Sequence, residues 1–239
     1  MRLREQRFIA FTSALFLMQC SAPLPEQDVQ PTRIDWPMYR GDLAGTGYSP
    51  LDEITPENVS AMTRHWTYGL HRDPETAEEI TRGPNSQATP IVVDDLMYLP
   101  AADRVVALEP ETGREVWRHV VSDGVPSRRG VAYWSGSEGT EPRLIFTVGE
   151  RLLALTAKTG DVVMEFGQAG EVDLGVPYNS VPLIYGDVVV VGANTPRGAI
   201  GGIGNARACD ARTGAKVWEF DSVPQPGTVG HDTWQGDSW

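Results

Sequence analysis

Cysteine is nearly absent: Cys20 and Cys209 are the two in a chain of 239 residues. A disulfide framework is therefore not expected, and Cys209, set in an apolar strand pattern, reads as a small buried side chain. Hydrophobic runs of membrane length are missing as well. The one sustained apolar stretch, residues 8–18, is too short to cross a bilayer as a helix. Basic residues are outnumbered, 20 Lys and Arg against 32 Asp and Glu, for a formal charge of −12. A surface of that sign repels phosphate backbones and anionic headgroups, so nucleic acid is not an expected partner. The four His residues show no metal-ligand spacing, and no Ser/His/Asp arrangement, heptad pattern or low-complexity tract is present. GGIG at 201–204 opens no helical pattern, which removes the dinucleotide fingerprint.

What is present begins with an export signal. Arg2, Arg4 and Arg7 precede the apolar stretch, the order of a secretory signal peptide. Two cleavage readings stand open. LMQC at 17–20 matches a lipoprotein box with Cys20 as the acylated residue, whereas CSA at 20–22 offers the small-x-small pattern of ordinary signal peptidase. Residues 1–22 are thus read as a signal peptide, with a possible lipid anchor at Cys20 as the route to a membrane. Residues 23–33, rich in Pro, Gln and charge, read as a tether, and 34–239 as the folded domain. Loss of residues 1–19 removes three Arg and one Glu and takes the formal charge to −14, which suits a periplasmic protein working among neutral substrates.

The folded part is organised by a repeat. ALEPETGREVW at 107–117, ALTAKTGDVVM at 154–164 and ACDARTGAKVW at 208–218 place their Thr-Gly pairs at Thr112, Thr159 and Thr213, spacings of 47 and 54. That is the period of a four-stranded propeller blade. Each copy reads as a hairpin: a short apolar strand, a turn in which Gly supplies positive φ, and a returning strand, which in the first copy ends in a Trp that packs between neighbouring blades. Residues 89–93 with 96–99, and 181–184 with 188–192, supply the other two strands of the first and third units. A degenerate copy is read around residues 58–66. The expectation is an all-β, incomplete propeller of three to four antiparallel blades. The last ten residues end in mid-loop, so the chain is expected to be a fragment or truncated product.

The segment DWPMYRGDLAGTGYSPLDEITPENV at 35–59 resembles the opening of the pyrroloquinoline-quinone (PQQ) dependent dehydrogenases of the glucose, quinate or shikimate and alcohol types. The resemblance continues through SQATPIVV at 86–93, RRGVAYW at 128–134, the three repeats and PGTVGHDTW at 226–234. It implies a propeller of roughly eight blades, with the quinone near the axis above a Ca²⁺, of which this chain is the N-terminal portion. It implies oxidation of an alcohol, sugar or polyol, with electrons leaving to ubiquinone or a cytochrome c.

PQQ carries three carboxylates and an ortho-quinone, so its pocket needs cations and hydrogen-bond donors. By the resemblance, Arg129 offers its guanidinium to a PQQ carboxylate, with Arg128 solvated. Gln87 stands where relatives have Glu, keeping the hydrogen bond and losing the charge. Asn179 and Asn194 match polar positions near the quinone. Three residues beyond Asn194, the relatives' Ca²⁺-binding Glu falls on Arg197, which cannot coordinate a metal that needs oxygen ligands. Either the loop is realigned with another ligand for the implied Ca²⁺, or metal binding is weakened or lost. The relatives' Trp floor, Asn metal ligand and Asp general base lie beyond the segment matched, so no catalytic and no metal residue is assigned. The carboxylates Glu78, Glu79, Asp94, Asp95 and Asp232 fall in expected turns and loops. Two other readings remain: PQQ-like repeats also build non-catalytic scaffold lipoproteins of outer-membrane assembly, and the chain is alternatively an inactive fragment.

Overall fold

The computed structural model describes residues 34–71, 87–194 and 204–236. The signal peptide, the tether, Glu78, Glu79 and Arg197 lie outside them. The described residues from Asp35 onward belong to one compact unit. Twelve strands form three antiparallel sheets, each with its strands in chain order. The first sheet is β1 (Ile91–Val93), β2 (Leu96–Ala101), β3 (Arg104–Leu108) and β4 (Glu115–Val120). The second is β5 (Ala132–Trp134), β6 (Arg143–Val148), β7 (Arg151–Thr156) and β8 (Glu171–Asp173). The third is β9 (Leu183–Tyr185), β10 (Val188–Val191), β11 (Ala206–Asp210) and β12 (Lys216–Phe220). Chain-order, four-stranded meanders of this period are propeller blades, as the repeat predicts. No helix among the described residues is long and apolar enough to cross a membrane.

The repeat turns follow one design. In the first, Gly113 sits at φ 69°, its amide donates to Glu109 O at 2.8 Å, and Trp66 lies so close that a Cβ on Gly113 would come within 2.4 Å of the indole. The Trp66 indole N–H donates to Pro110 O at 2.9 Å. In the second, Gly160 (φ 76°) meets Trp117 in the same way, and the Trp117 N–H donates to Ala157 O at 3.0 Å. Each Trp thus docks on the Thr-Gly turn of the next sheet along the chain. Gly is required at these turns both for positive φ and because any side chain would strike the ring.

The second repeat carries Met164 where the others carry Trp, and here the structure departs from the sequence expectation. Residues 161–164 do not form a returning strand. Only Leu155 bridges Val162, the chain then turns, Phe166 enters the core, and β8 pairs later with β7. Met164 is left exposed. The third turn is met instead by Arg143, whose Nη1 donates to Ala211 O (3.2 Å) and to Arg212 O while its guanidinium lies 5.4 Å from the Trp134 ring centroid. Pro110, Ala157 and Ala211 occupy the same place in the three repeats. A cation therefore supplies at the third turn the donor that an indole supplies at the first two. The degenerate copy at 58–66 is a second correction. Val59–Ala61 is a 3₁₀ turn rather than a strand, and only Trp66 plays its repeat role.

The core lies between the sheets. One cluster joins Ile91, Val105, Trp117, Leu144 and Phe146 across the first and second sheets; another joins Trp134, Ile145, Phe166, Val189 and Cys209 across the second and third. Cys209 is buried, as expected. The outer strand β12 has every residue exposed, including Trp218 and Phe220.

Candidate functional site

The segments leading into the first strand of each sheet are tied together by hydrogen bonds. Gln87 N donates to Arg128 O (3.1 Å) and Thr89 N to Arg129 O (3.3 Å), joining the lead-ins of β1 and β5. Ser127 Oγ donates to Asn179 O (2.8 Å), joining those of β5 and β9, and Arg129 N donates back to Ser127 Oγ (3.3 Å). Gly130 allows this close approach. It has φ 144°, and a Cβ there would stand 3.0 Å from Val181 Cγ2.

Beside these lead-ins the chain near its N-terminus runs antiparallel to β1, held by a two-way backbone bridge between Trp36 and Val92. Between this segment and the second and third sheets opens a cleft of about 550 Å³. Pro37, Met38, Leu43, Val131, Leu183 and Ile184 give it apolar walls, while Arg40, Gln87, Arg129, Tyr133 and Ser180 bring polar groups. A mostly apolar concavity with a few convergent polar groups is the form a small-ligand site takes. Its electrostatics favour an anion. The one carboxylate on the wall, Asp42, is held by the hydroxyl (2.7 Å) and amide (3.1 Å) of Thr46, which lower its pKa below the ordinary carboxylate value. The guanidinium groups of Arg40 and Arg129 are exposed, and neither forms an ion pair among the described residues. Tyr133 keeps its proton: burial, aided by the negative charge of Asp94, pushes the phenol up to about 12.

Of the four residues expected at the site, Gln87 and Arg129 line this cleft together. Asn179 and Asn194 do not line it. Asn179 contributes its carbonyl to Ser127, and Asn194 its amide to Pro177 O (2.7 Å), so their recorded roles are in holding the lead-ins. Arg128 is exposed and off the cleft, as expected for a solvated neighbour. Asp94 and Asp95 take left-handed φ values of 49° and 64° in the β1–β2 turn. Arg40, Tyr133 and Ser180 are cleft residues that sequence reasoning missed. Thr147 does not line the cleft but lies next to the segment that carries Arg129: it is fully buried on β6, its carbonyl accepts the Ser127 amide at 2.8 Å, and its Oγ1 meets no partner among the described residues. Nothing in the sequence distinguishes that hydroxyl from any threonine in a strand.

The family model for the PQQ glucose/ethanol/alcohol dehydrogenase β-propeller domain matches residues 36–239. The chain belongs to this family. It is 34% identical over 234 residues to the glycerol dehydrogenase large subunit of Gluconobacter thailandicus, covering 85% of this chain and 30% of that protein. It is 35% identical over 205 residues to the quinohemoprotein alcohol dehydrogenase of Comamonas testosteroni, covering 80% of this chain and 26% of that one. The crystal structure of the latter enzyme superposes with a TM-score of 0.62 at 30% identity, over 80% of this chain and 28% of that chain. The chain thus spans under a third of the length of these relatives.

The family implies PQQ, and the cleft can be tested against it. A tricarboxylate needs cations and neutral donors without competing free carboxylates. Arg40 and Arg129 supply cations, Gln87 and Ser180 supply neutral donors, Asp42 is already engaged by Thr46, and the Tyr133 hydroxyl is given to Asp94 at 3.4 Å. The residues present fit the organic cofactor. For Ca²⁺ they offer no comparable support: among the described residues no three His, Cys, Asp or Glu side chains gather around a common point.

Proposed function

We propose that this chain supplies the first blades and part of the cofactor cleft of a periplasmic PQQ-dependent dehydrogenase that oxidises an alcohol, sugar or polyol. Electrons then leave to ubiquinone or a cytochrome c. The observation that carries this reading is the meeting of Gln87 and Arg129 in one cation-bearing, mostly apolar cleft of a chain of this family. The relatives' names, glycerol dehydrogenase and quinohemoprotein alcohol dehydrogenase, support the substrate class.

When bound, PQQ would supply a two-electron acceptor for the oxidation of the substrate. Arg129 pairs its guanidinium with a cofactor carboxylate, a charge-assisted contact that fixes orientation as well as affinity. Gln87 donates an amide hydrogen bond to the same ligand. Ser180 adds a hydroxyl, and the Pro37, Met38 and Val131 walls exclude water, which strengthens each polar contact. Asn179 and Asn194 hold the backbone frame on which Arg129 stands. Asp42, the one carboxylate on the wall, is a poor general base, because its oxygens already accept hydrogen bonds from Thr46 that lower its pKa and so its basicity. Residues 1–22 direct export, 23–33 tether the propeller of 34–239, and Cys20, if acylated, anchors it to a membrane.

Reconstitution of the protein with PQQ, followed by equilibrium dialysis and by dye reduction with glycerol, ethanol, glucose and quinate, tests the reading. Retention of PQQ that is weakened by Arg129→Ala is expected. A protein that retains no PQQ would overturn the reading and return the chain to the non-catalytic scaffold class.

A further inference from the structure

Arg40 stands in a conformation that its own surroundings do not explain. Its φ is 64°, in the left-handed region that disfavours a residue with a long side chain, and a glycine, Gly41, follows immediately. The turn is locked on both sides: Gly41 N donates to Met38 O (2.9 Å) and Gly47 N to Arg40 O (2.9 Å). Only backbone atoms make these bonds, so the fold needs the turn but not the guanidinium. The side chain lies over Gly45 and Gly47, where a Cβ would come within 3.7–4.0 Å of it. It forms no hydrogen bond or ion pair among the described residues, although the chain holds 32 carboxylates. It does line the cleft that Gln87 and Arg129 line. A residue that bears backbone strain without a structural return marks a candidate functional position.

Resting on the PQQ reading above, we infer that Arg40 is a second cationic contact for the carboxylates of the bound quinone, lining the same cleft as Arg129. The two arginines come from different parts of the fold, the segment bridged to β1 and the lead-in to β5. A ligand bearing several carboxylates can engage both at once, whereas a monoanion needs only one. Charge pairing of this kind also staples residues 37–45 to the blades when the ligand is bound.

Arg40→Gly separates the two roles of the position. Glycine adopts φ 64° freely, so the fold is kept or slightly stabilised while the guanidinium is lost. Equilibrium dialysis of the full chain against free PQQ should show affinity at least about tenfold weaker for Arg40→Gly, with part of the loss recovered in Arg40→Lys. Arg129→Ala, run in parallel, reports on the underlying reading. Weakening by Arg129→Ala with unchanged affinity in Arg40→Gly would overturn the role of Arg40 and leave the PQQ reading standing. Failure of the unmodified chain to retain PQQ would overturn both.

Discussion

Gly130 is the residue on which the cleft geometry turns. Its φ of 144° lies where only glycine is at ease, and an added Cβ would press on Val181 at 3.0 Å and sit 3.5 Å from Thr89 O. Gly130→Ala should therefore cost about 1–3 kcal/mol. Because Thr89 N is bonded to the Arg129 carbonyl, the displacement also moves Arg129. A lowered urea midpoint together with weaker PQQ retention is expected; an unshifted midpoint would contradict the strain argument. Tyr133 makes a second prediction. Its folded pKa of about 12 exceeds the ordinary value of 10.0. Between those values the unfolded chain releases the phenolic proton while the fold keeps it, so stability falls as pH rises from about 10 to about 12. Tyr133→Phe removes that part of the alkaline loss, which urea titrations at pH 9 and pH 11 would reveal as a smaller drop for the variant.

Elements are joined here by single donors aimed at the Thr-Gly turns. Trp117 is buried at 9% exposure, and its loss removes both a large apolar body and the donor for Ala157 O. Trp117→Ala should cost about 3–5 kcal/mol in chemical denaturation, the usual cost of emptying an aromatic site. Trp117→Phe should cost much less, near the worth of one hydrogen bond, about 1 kcal/mol. Arg143 has the equivalent post at the third turn and is 4% exposed, its pKa lowered by burial. Arg143→Met leaves the Ala211 and Arg212 carbonyls without their donor, a loss of about 1–3 kcal/mol. The ion pair with Glu165 contributes little to this, because that carboxylate is 72% exposed. A neutral outcome for Arg143→Met would refute the substitution of cation for indole.

At the scale of the whole molecule the third sheet presents an apolar outer face. Trp218 and Phe220 on β12 are 43% and 66% exposed, and Leu183 and Tyr185 on β9 are open on the same face. Such a face on an unpaired outer strand favours self-association. The 239-residue chain taken alone should scatter light increasingly with concentration, despite its acidity, and Phe220→Glu should reduce that scattering. A monodisperse monomer at high concentration would refute this.

The repeat period, the Thr-Gly turns and the alternation of apolar strands were legible in the sequence because they are local: each depends on residues within one hairpin. Arg129 and Gln87 were legible too, through their motifs. Arg40, Tyr133 and Ser180 were not, since a residue's place on a cleft depends on which distant strand it faces. The same holds for Arg143. Met164 announced that the second repeat lacked its tryptophan, but only packing between the second and third sheets determined that an arginine from β6 would meet Ala211. The chain alone determined the blade, its turns and the need for glycine in them. Tertiary structure decided how the lead-ins of β1, β5 and β9 are bonded into one frame beside residues 37–45, because hydrogen bonds between segments far apart in sequence form only once the sheets are stacked.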